Sequence, residues 1–366
     1  MELINSISGD YEITAVSSPG KELDQISESG FKVYPLKMNR RISIISDLIS
    51  LIRLYLLIRH ERPTIVHSIT PKAGLLAMMA AKMAHVPIRI HTFTGLVFPT
   101  ASGLKKRLLM TTDQITCACA TNVLSEGQGV RGDLMDAGIT SKHVAVLGHG
   151  NIRGVDLTYY TKSPRMESEG WRLCHKLGVA RDTKIMLFVG RIVEDKGIAE
   201  LIAAFRLFSH DNPDWKLLLV GTEETPLPTH IKHAITHNPK IAATEEWVDD
   251  VRPYYAVAKM LVLPSYREGF PNVVLEAGAM RLPSIVTDIN GSSEIIADGY
   301  NGLIIPPHDT NALWSAMQRI AYDKQAAQTM GMNARHLVAD RYEIGFVTKC
   351  ASDYYEELLN DNVTSH

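Results

Sequence analysis

Glu268 and Glu276, separated by seven residues in Arg267-Glu268-Gly269-Phe270-Pro271-Asn272-Val273-Val274-Leu275-Glu276, set two carboxylates around a glycine-proline turn. Pro271 suits an early helical position, where its missing N–H costs nothing, so the spacing predicts a helix from Val273 to Met280 with free amides at its start. Such an end attracts a phosphate. Glu268 then lies in the loop beside the bound group and Glu276 about a turn and a half along the helix, where carboxylates accept hydrogen bonds from sugar hydroxyls. The plainer alternative is that Glu268 caps its own helix and Glu276 makes a surface ion pair.

A second segment, Met186-Leu187-Phe188-Val189-Gly190-Arg191-Ile192-Val193-Glu194-Asp195-Lys196-Gly197, ends an apolar run at a glycine and follows it with two cations bracketing an acidic pair. It reads as strand, loop and helix. Ligands of open α/β sheets bind outside the carboxyl ends of the strands, which places Arg191 and Lys196 to meet an anion there. Arginine offers two phosphate oxygens a planar fork and lysine a point charge. The alternative is a solvated basic loop neutralised by Glu194 and Asp195.

Together these segments resemble the retaining glycosyltransferases of family 4. The resemblance covers most of the chain through Val248-Asp249-Asp250-Val251 with Tyr254-Tyr255, Gly291-Ser292-Ser293-Glu294-Ile295-Ile296, Gly299-Tyr300-Asn301-Gly302-Leu303-Ile304 and Gly154-Val155-Asp156. His91-Thr92-Phe93-Thr94-Gly95-Leu96 adds a likeness to enzymes of bacterial surface-polysaccharide and lipid-linked oligosaccharide synthesis. The resemblance implies an α/β protein of GT-B fold, two Rossmann-like domains facing across a cleft. It also implies a nucleotide-diphosphate sugar donor, with UDP taken from the family, a lipid-linked or saccharide acceptor, retention of configuration, and no metal or other cofactor.

Carried over residue by residue, Arg191 and Lys196 hold the diphosphate and stabilise charge growing on the leaving group. Glu268 binds hydroxyls of the transferred sugar, and these three form the expected catalytic set. Glu276 binds the ribose, the amides near Phe270 and of Asn272 and Val273 the distal phosphate, and the backbone at Val248 the base. For that last loop a core Trp247 with capping aspartates is the alternative. On the acceptor side the candidates are Thr94, Gly95 and Lys72. Thr94 stands where many relatives carry a histidine before the glycine. His91, three residues earlier, reads as a satisfied core or strand-end residue. Lys72, Lys105, Lys106 and Arg107 either face a phosphate-bearing lipid acceptor or are ordinary surface charges.

The elements that must position these residues follow βαβ grammar. The expected domains are 1–155, 156–345 and a closing helix at 346–366, which the resemblance implies crosses back to the first domain. A helix is expected at Leu104 to Thr112 and strands at Gln114 to Ala118, with Cys117 and Cys119 on one strand face, and at Thr121 to Leu124. The opening Met1 to Ile7 reads as the end of a helix running into a strand at Tyr11 to Val16. The resembling family opens with a strand, a glycine-rich loop and then that helix, so the resemblance implies a first domain that lacks its opening strand and glycine-rich loop. In a sheet of order 3-2-1-4-5-6 that strand is central, so its loss leaves unpaired ladder groups.

The chain of 366 residues, 45% hydrophobic and 21% charged, has room for two domains. Residues 1–155 carry 17 Lys and Arg against 12 Asp and Glu, a net of +5, and the remainder 21 against 28, a net of −7. A basic first half suits an anionic membrane or a phosphorylated acceptor as well as it suits scattered surface charge. No aromatic-basic platform indicates nucleic acid. Cys117, Cys119, Cys174 and Cys350 show no paired zinc spacing, and with no secretory signal they fit a reducing cytoplasm. No run of eighteen apolar residues occurs. The nearest, Ile42 to Ile58, has its polar Ser43, Ser46, Asp47, Ser50 and Arg53 in one narrow stripe. Its apolar arc is expected to lie against the sheet, with membrane contact the alternative, and the expected location is cytoplasmic or peripheral at the inner membrane face. Competing readings are a truncated remnant that binds a nucleotide or partner without turnover, a UDP-sugar epimerase of GT-B fold, and a glycoside hydrolase. The last leaves Arg191 and Lys196 without a task.

Overall fold

The computed structural model describes residues 2–38, 43–244 and 246–364, and the chain divides into two units, Met1–Gly154 with Gly345–His366, and Val155–Ile344. The second unit runs α7 (Pro164–Lys176), β7 (Lys184–Val189), α8 (Ile198–Asp211), β8 (Trp215–Val220), α9 (Thr229–His237), β9 (Ile241–Ala243) and α10 (Arg252–Val257). It continues through β10 (Met260–Leu263), α11 (Asn272–Ala279), β11 (Ser284–Thr287), α12 (Ser292–Ile295), β12 (Gly302–Ile305), α13 (Thr310–Tyr322) and α14 (Lys324–Arg341). These strands form one parallel sheet of order β12-β11-β10-β7-β8-β9. Such a sheet is covered on both faces, so its strands are continuous apolar runs. In β7 every residue after Lys184 is buried. The chain steps outward from β7 to β9 and then returns to the other side of β7 at β10. The sheet's switch point therefore lies between β7 and β10, where ligands of open α/β sheets bind.

The first unit contains α1 (Glu2–Ile7), β1 (Thr14–Ser17), α2 (Lys21–Glu28), β2 (Lys32–Pro35), α3 (Ile44–Glu61), β3 (Ile65–Ser68), α4 (Pro71–Met83) and β4 (Ile88–Phe93). After these come α5 (Gly103–Cys119), β5 (Asn122–Ser125), α6 (Gln128–Asp136) and β6 (Val144–Ala145), and α15 (Ile344–Thr364) closes the chain. Among the described residues its strands form two parallel sheets, β1-β2 and β3-β4-β5-β6, that share no ladder. Ile7, Ile88, Ile90, Leu124 and Tyr355 of α15 share one core cluster. Above it, His67 in β3 bonds through Nδ1 to the Tyr355 hydroxyl at 2.6 Å and through Nε2 to Thr92 Oγ1 at 2.7 Å.

Two expectations fail here. Gln114 to Ala118 is the end of α5 rather than a strand. No breaker interrupts that helix, and the hydroxyls of Thr112 and Thr116 bond back to the carbonyls of Leu109 and Thr112. Cys117 and Cys119 are therefore buried on a helix. The apolar arc of α3 does not lie against the sheet. Ser50, Leu54, Leu57 and Ile58 turn inward, while Ile44, Ile45, Leu48, Ile49, Ile52 and Leu56 are exposed. Ile42, in the expected helix, lies outside the described residues.

Candidate active site

Loops after β7, β8, β10 and β11 converge at the carboxyl end of the second unit's sheet, and two glycines let their backbones touch. Gly197, at φ +66°, follows the 3₁₀ turn Glu194–Lys196 and would place a Cβ 2.0 Å from the Pro264 carbonyl oxygen. Gly291, at φ +75°, would place one 2.2 Å from the carbonyl oxygen of Gly269. Only glycine fits either position without moving the neighbouring main chain. The turn carrying Glu268 is thus clamped from both sides.

At the switch point Lys196 Nζ lies 2.5 Å from Glu268 Oε1, the two side chains only 15% and 13% exposed. The two sequence segments, 72 residues apart, therefore meet directly. Arg191, half exposed, donates from Nη1 to Glu224 Oε2 at 2.9 Å. Glu194 and Asp195 do not neutralise the two cations: Asp195 instead accepts from Arg267 Nε at 3.1 Å and Nη2 at 2.9 Å. Asp195 also accepts through its carbonyl from the amide of Tyr266, at 2.9 Å. The Tyr266 hydroxyl donates to Glu200 at 2.5 Å, and its ring lies 3.7 Å from that of His308. Burial first, and the Glu200 carboxylate after it, push the Tyr266 phenol well above its ordinary range.

Glu276 is neither exposed nor in a surface ion pair. It is buried within α11 and accepts from the Tyr255 hydroxyl at 3.2 Å, the same hydroxyl lying 3.3 Å from the Val273 carbonyl. Asn272 and Val273 open α11, and Pro271 stands at the N-cap, one position earlier than the spacing predicts. Phe270 is buried with its ring 5.5 Å from Tyr342. Val248 packs on the core, whereas Trp247 is 71% exposed, so the core-tryptophan reading of that loop is wrong. Asp250 there accepts from the backbone and guanidinium of Arg252.

In the first unit Thr94 and Gly95 follow β4, and Lys72, at the start of α4, pairs with Asp47 at 2.5 Å. His91 is a buried partner of Ser68 Oγ at 2.8 Å, and the missing Cβ of Gly74 makes room for its ring. It is thus the satisfied core histidine that its place in the strand predicts.

The "Glycosyl transferases group 1" family matches residues 171–337, and "Glycosyl transferase 4-like" matches residues 1–126. The capsular polysaccharide biosynthesis glycosyltransferase CapM of Staphylococcus aureus is 31% identical over 354 residues, 96% of this chain and 91% of CapM. The chain belongs to the group 1 glycosyltransferases. Another relative of this glycosyltransferase, the Escherichia coli UDP-Gal:alpha-D-GlcNAc-diphosphoundecaprenol alpha-1,3-galactosyltransferase, is 26% identical over 93% of the chain and 87% of the relative. Its GT-B fold is shared with Anabaena HepE, solved with UDP and glucose, at a TM-score of 0.80 and 17% identity over 97% of this chain and 95% of HepE. A Rickettsia africae glycosyltransferase matches at a TM-score of 0.79 and 19% identity over 98% and 93% of the two chains.

Four members of this glycosyltransferase's site cluster lay beyond the sequence reading. Tyr255 stood in a quoted motif without a role, and only the buried hydroxyl against Glu276 supplies one. Glu224 follows β8 much as Arg191 follows β7, each shortly after a strand-ending glycine, Gly221 and Gly190, and that parallel was the available signal. The pairing of Tyr266 with Glu200 had none.

Proposed function

We propose that this glycosyltransferase moves a sugar from a UDP-sugar to a lipid-linked saccharide acceptor, with retention of configuration, in the synthesis of a bacterial surface polysaccharide. The observation that carries the reading is the contact of Lys196 with Glu268 at the sheet's switch point. It sets a cation suited to a phosphate beside a carboxylate suited to sugar hydroxyls, at the start of α11. The names of the two bacterial relatives, one specifying UDP-galactose and a diphosphoundecaprenol-linked acceptor, support the donor and acceptor classes.

In this reading the diphosphate lies between Arg191 and Lys196, whose charge offsets the negative charge that grows on the leaving oxygen as the glycosidic bond breaks. Two fixed cations supply that stabilisation without a metal. The amides around Phe270 and of Asn272 and Val273 receive the distal phosphate at the start of α11. Glu268 accepts from hydroxyls of the sugar, Glu276 from the ribose, and the main chain at Val248 from the base. A donor phosphate oxygen takes the acceptor's proton on the same face, so neither glutamate acts as a nucleophile. Thr94, Gly95 and Lys72 serve the acceptor.

The test is a comparison of variants by UDP titration and by turnover. Glu268→Ala should cut transfer by about 10²-fold or more while UDP affinity stays within a few fold, because its contacts go to the sugar. Arg191→Ala should weaken both. Transfer undiminished in Glu268→Ala, or UDP affinity unchanged in Arg191→Ala, defeats the assignment.

A further inference from the structure

Helix α3 presents its aliphatic side outward. Ile44, Ile45, Leu48, Ile49, Ile52 and Leu56 are between 47% and 82% exposed. At 100° per residue they fall within one arc of about 140° along a helix about 27 Å long. Their exposed area is on the order of 600 Å², at the upper end of what a monomer leaves to water, and such patches mark interaction surfaces. The inward side carries polar groups that a surface helix ordinarily shows to solvent. Ser50 is buried with its hydroxyl bonded to the Ser46 carbonyl at 2.9 Å, and Asp47 is held by Lys72. The orientation is thus anchored by specific contacts on the inner side, and the bare arc follows from it.

Charge identifies what covers the arc. The remaining exposed residues of α3 are Arg53, Arg59 and His60, so the outward face carries cations and no carboxylate. The bias extends beyond the helix. From Ile44 to Cys119, the stretch holding α3, α4 and α5, nine lysines and arginines stand against three carboxylates, Asp47, Glu61 and Asp113. Asp47 and Glu61 are tied to Lys72 and Lys32, and Asp113 is largely buried, which pushes its carboxyl up to about 6. Helix α4 contacts both α3 and α5, and α5 repeats the pattern in exposed Leu104, Leu108, Lys105 and Arg107. A second copy laid on this face would meet its own positive charge, as a two-fold contact requires. An acidic lipid headgroup layer over an acyl interior matches both components.

We propose that the outer face of α3 docks on an anionic lipid bilayer. The helix lies in the headgroup plane, its six aliphatics reach the acyl boundary, and Arg53 and Arg59 extend their stems along that surface to the lipid phosphates. Each cation near such a surface is worth about fivefold in binding, and the aliphatic burial supplies the remainder. This surface is independent of the donor and acceptor assigned above, because docking is read without turnover.

The experiment is co-sedimentation of the full chain with vesicles of phosphatidylcholine alone and of an equimolar mixture with phosphatidylglycerol. Binding is expected to the mixed vesicles, weakened by salt and at least about tenfold poorer on phosphatidylcholine. The triple substitution Ile45→Ser, Ile49→Ser, Ile52→Ser should reduce binding by about tenfold or more. Arg53→Glu with Arg59→Glu should abolish the preference for phosphatidylglycerol. All five positions are exposed, so the melting temperatures of these variants, measured alongside, should stay near that of the parent. Three results overturn the proposal: no binding to either vesicle, binding indifferent to both sets of substitutions, or a concentration-dependent dimer in light scattering that the serine variant dissolves while vesicles are ignored.

Discussion

Lys196 and Glu268 face each other at 2.5 Å, Arg191 holds Glu224 and Glu276 takes its proton donor from Tyr255. The carboxylates and cations were legible in the sequence because turn chemistry and strand-end glycines leave local marks. Their partners were not, because each is set by the order of strands in the sheet. Residue types also make the first unit sensitive to acid. Burial holds His67 at about 4, and burial with the neighbouring His67 does the same to His91, both below the ordinary 6.5. As pH falls from about 6.5 toward 4, the unfolded chain gains two protons that the folded chain refuses. Asp113, raised by burial from 3.8 to about 6, works the opposite way and keeps one proton in the fold that the unfolded chain releases. The difference is about one proton bound more by the unfolded chain between pH 6 and 4. The stability that the histidines contribute is therefore complete above about pH 6.5, and the net loss is about 1.4 kcal/mol per pH unit down to about 4. Urea denaturation followed by circular dichroism at steps across this window measures the slope. A flat profile, or one rising toward acid, would remove these imidazoles from the account.

At the scale of elements, the second unit was the more readable, since a buried parallel strand is built on an apolar run and β7, β8 and β10 each hold one. Helix α5 was misread at its end because Thr, Cys and Ile favour strands in isolation, while the packing of Cys117 and Cys119 against the first unit's core decides for helix. Helix α3 was misread in its facing, which hydrophobic periodicity cannot supply: the pattern shows that two sides differ and not which one is turned outward. The glycines between elements were the least visible feature. Gly291→Ala sets a Cβ where the Gly269 carbonyl oxygen lies 2.2 Å away and requires a positive φ of a residue that resists it. The substitution should cost on the order of 1–3 kcal/mol and shift the turn that carries Glu268. Transfer should then fall by more than the loss of folded protein explains, since a displacement of about 1 Å at a positioned group costs about 10²-fold. A variant with parental turnover and melting temperature would show that the two loops are not clamped.

Over the whole molecule, the two units carry unequal reporters. All four tryptophans, Trp171, Trp215, Trp247 and Trp314, lie between Val155 and Ile344, so indole fluorescence follows the second unit alone while circular dichroism follows both. The residues assigned to the donor, Arg191, Lys196, Val248, Glu268, Phe270, Asn272, Val273 and Glu276, lie in that same unit. A ligand that binds only a folded site stabilises it by RT ln(1 + [L]/Kd), about 2.7 kcal/mol at a hundred times Kd. For a unit of about 190 residues, each kcal/mol raises the midpoint by about 2–4 °C, so saturating UDP should move the fluorescence transition up by roughly 5–11 °C. The part of the dichroism melt that fluorescence does not report belongs to the first unit, whose sheets and helices hold none of those eight residues, and it should stay where it was. Arg191→Ala should shrink the fluorescence shift and leave the dichroism remainder untouched. If UDP instead moved the dichroism remainder and left the indole signal in place, the nucleotide would have to be held by the first unit, and the assignment of the donor to the loops after β7 and β10 would fall.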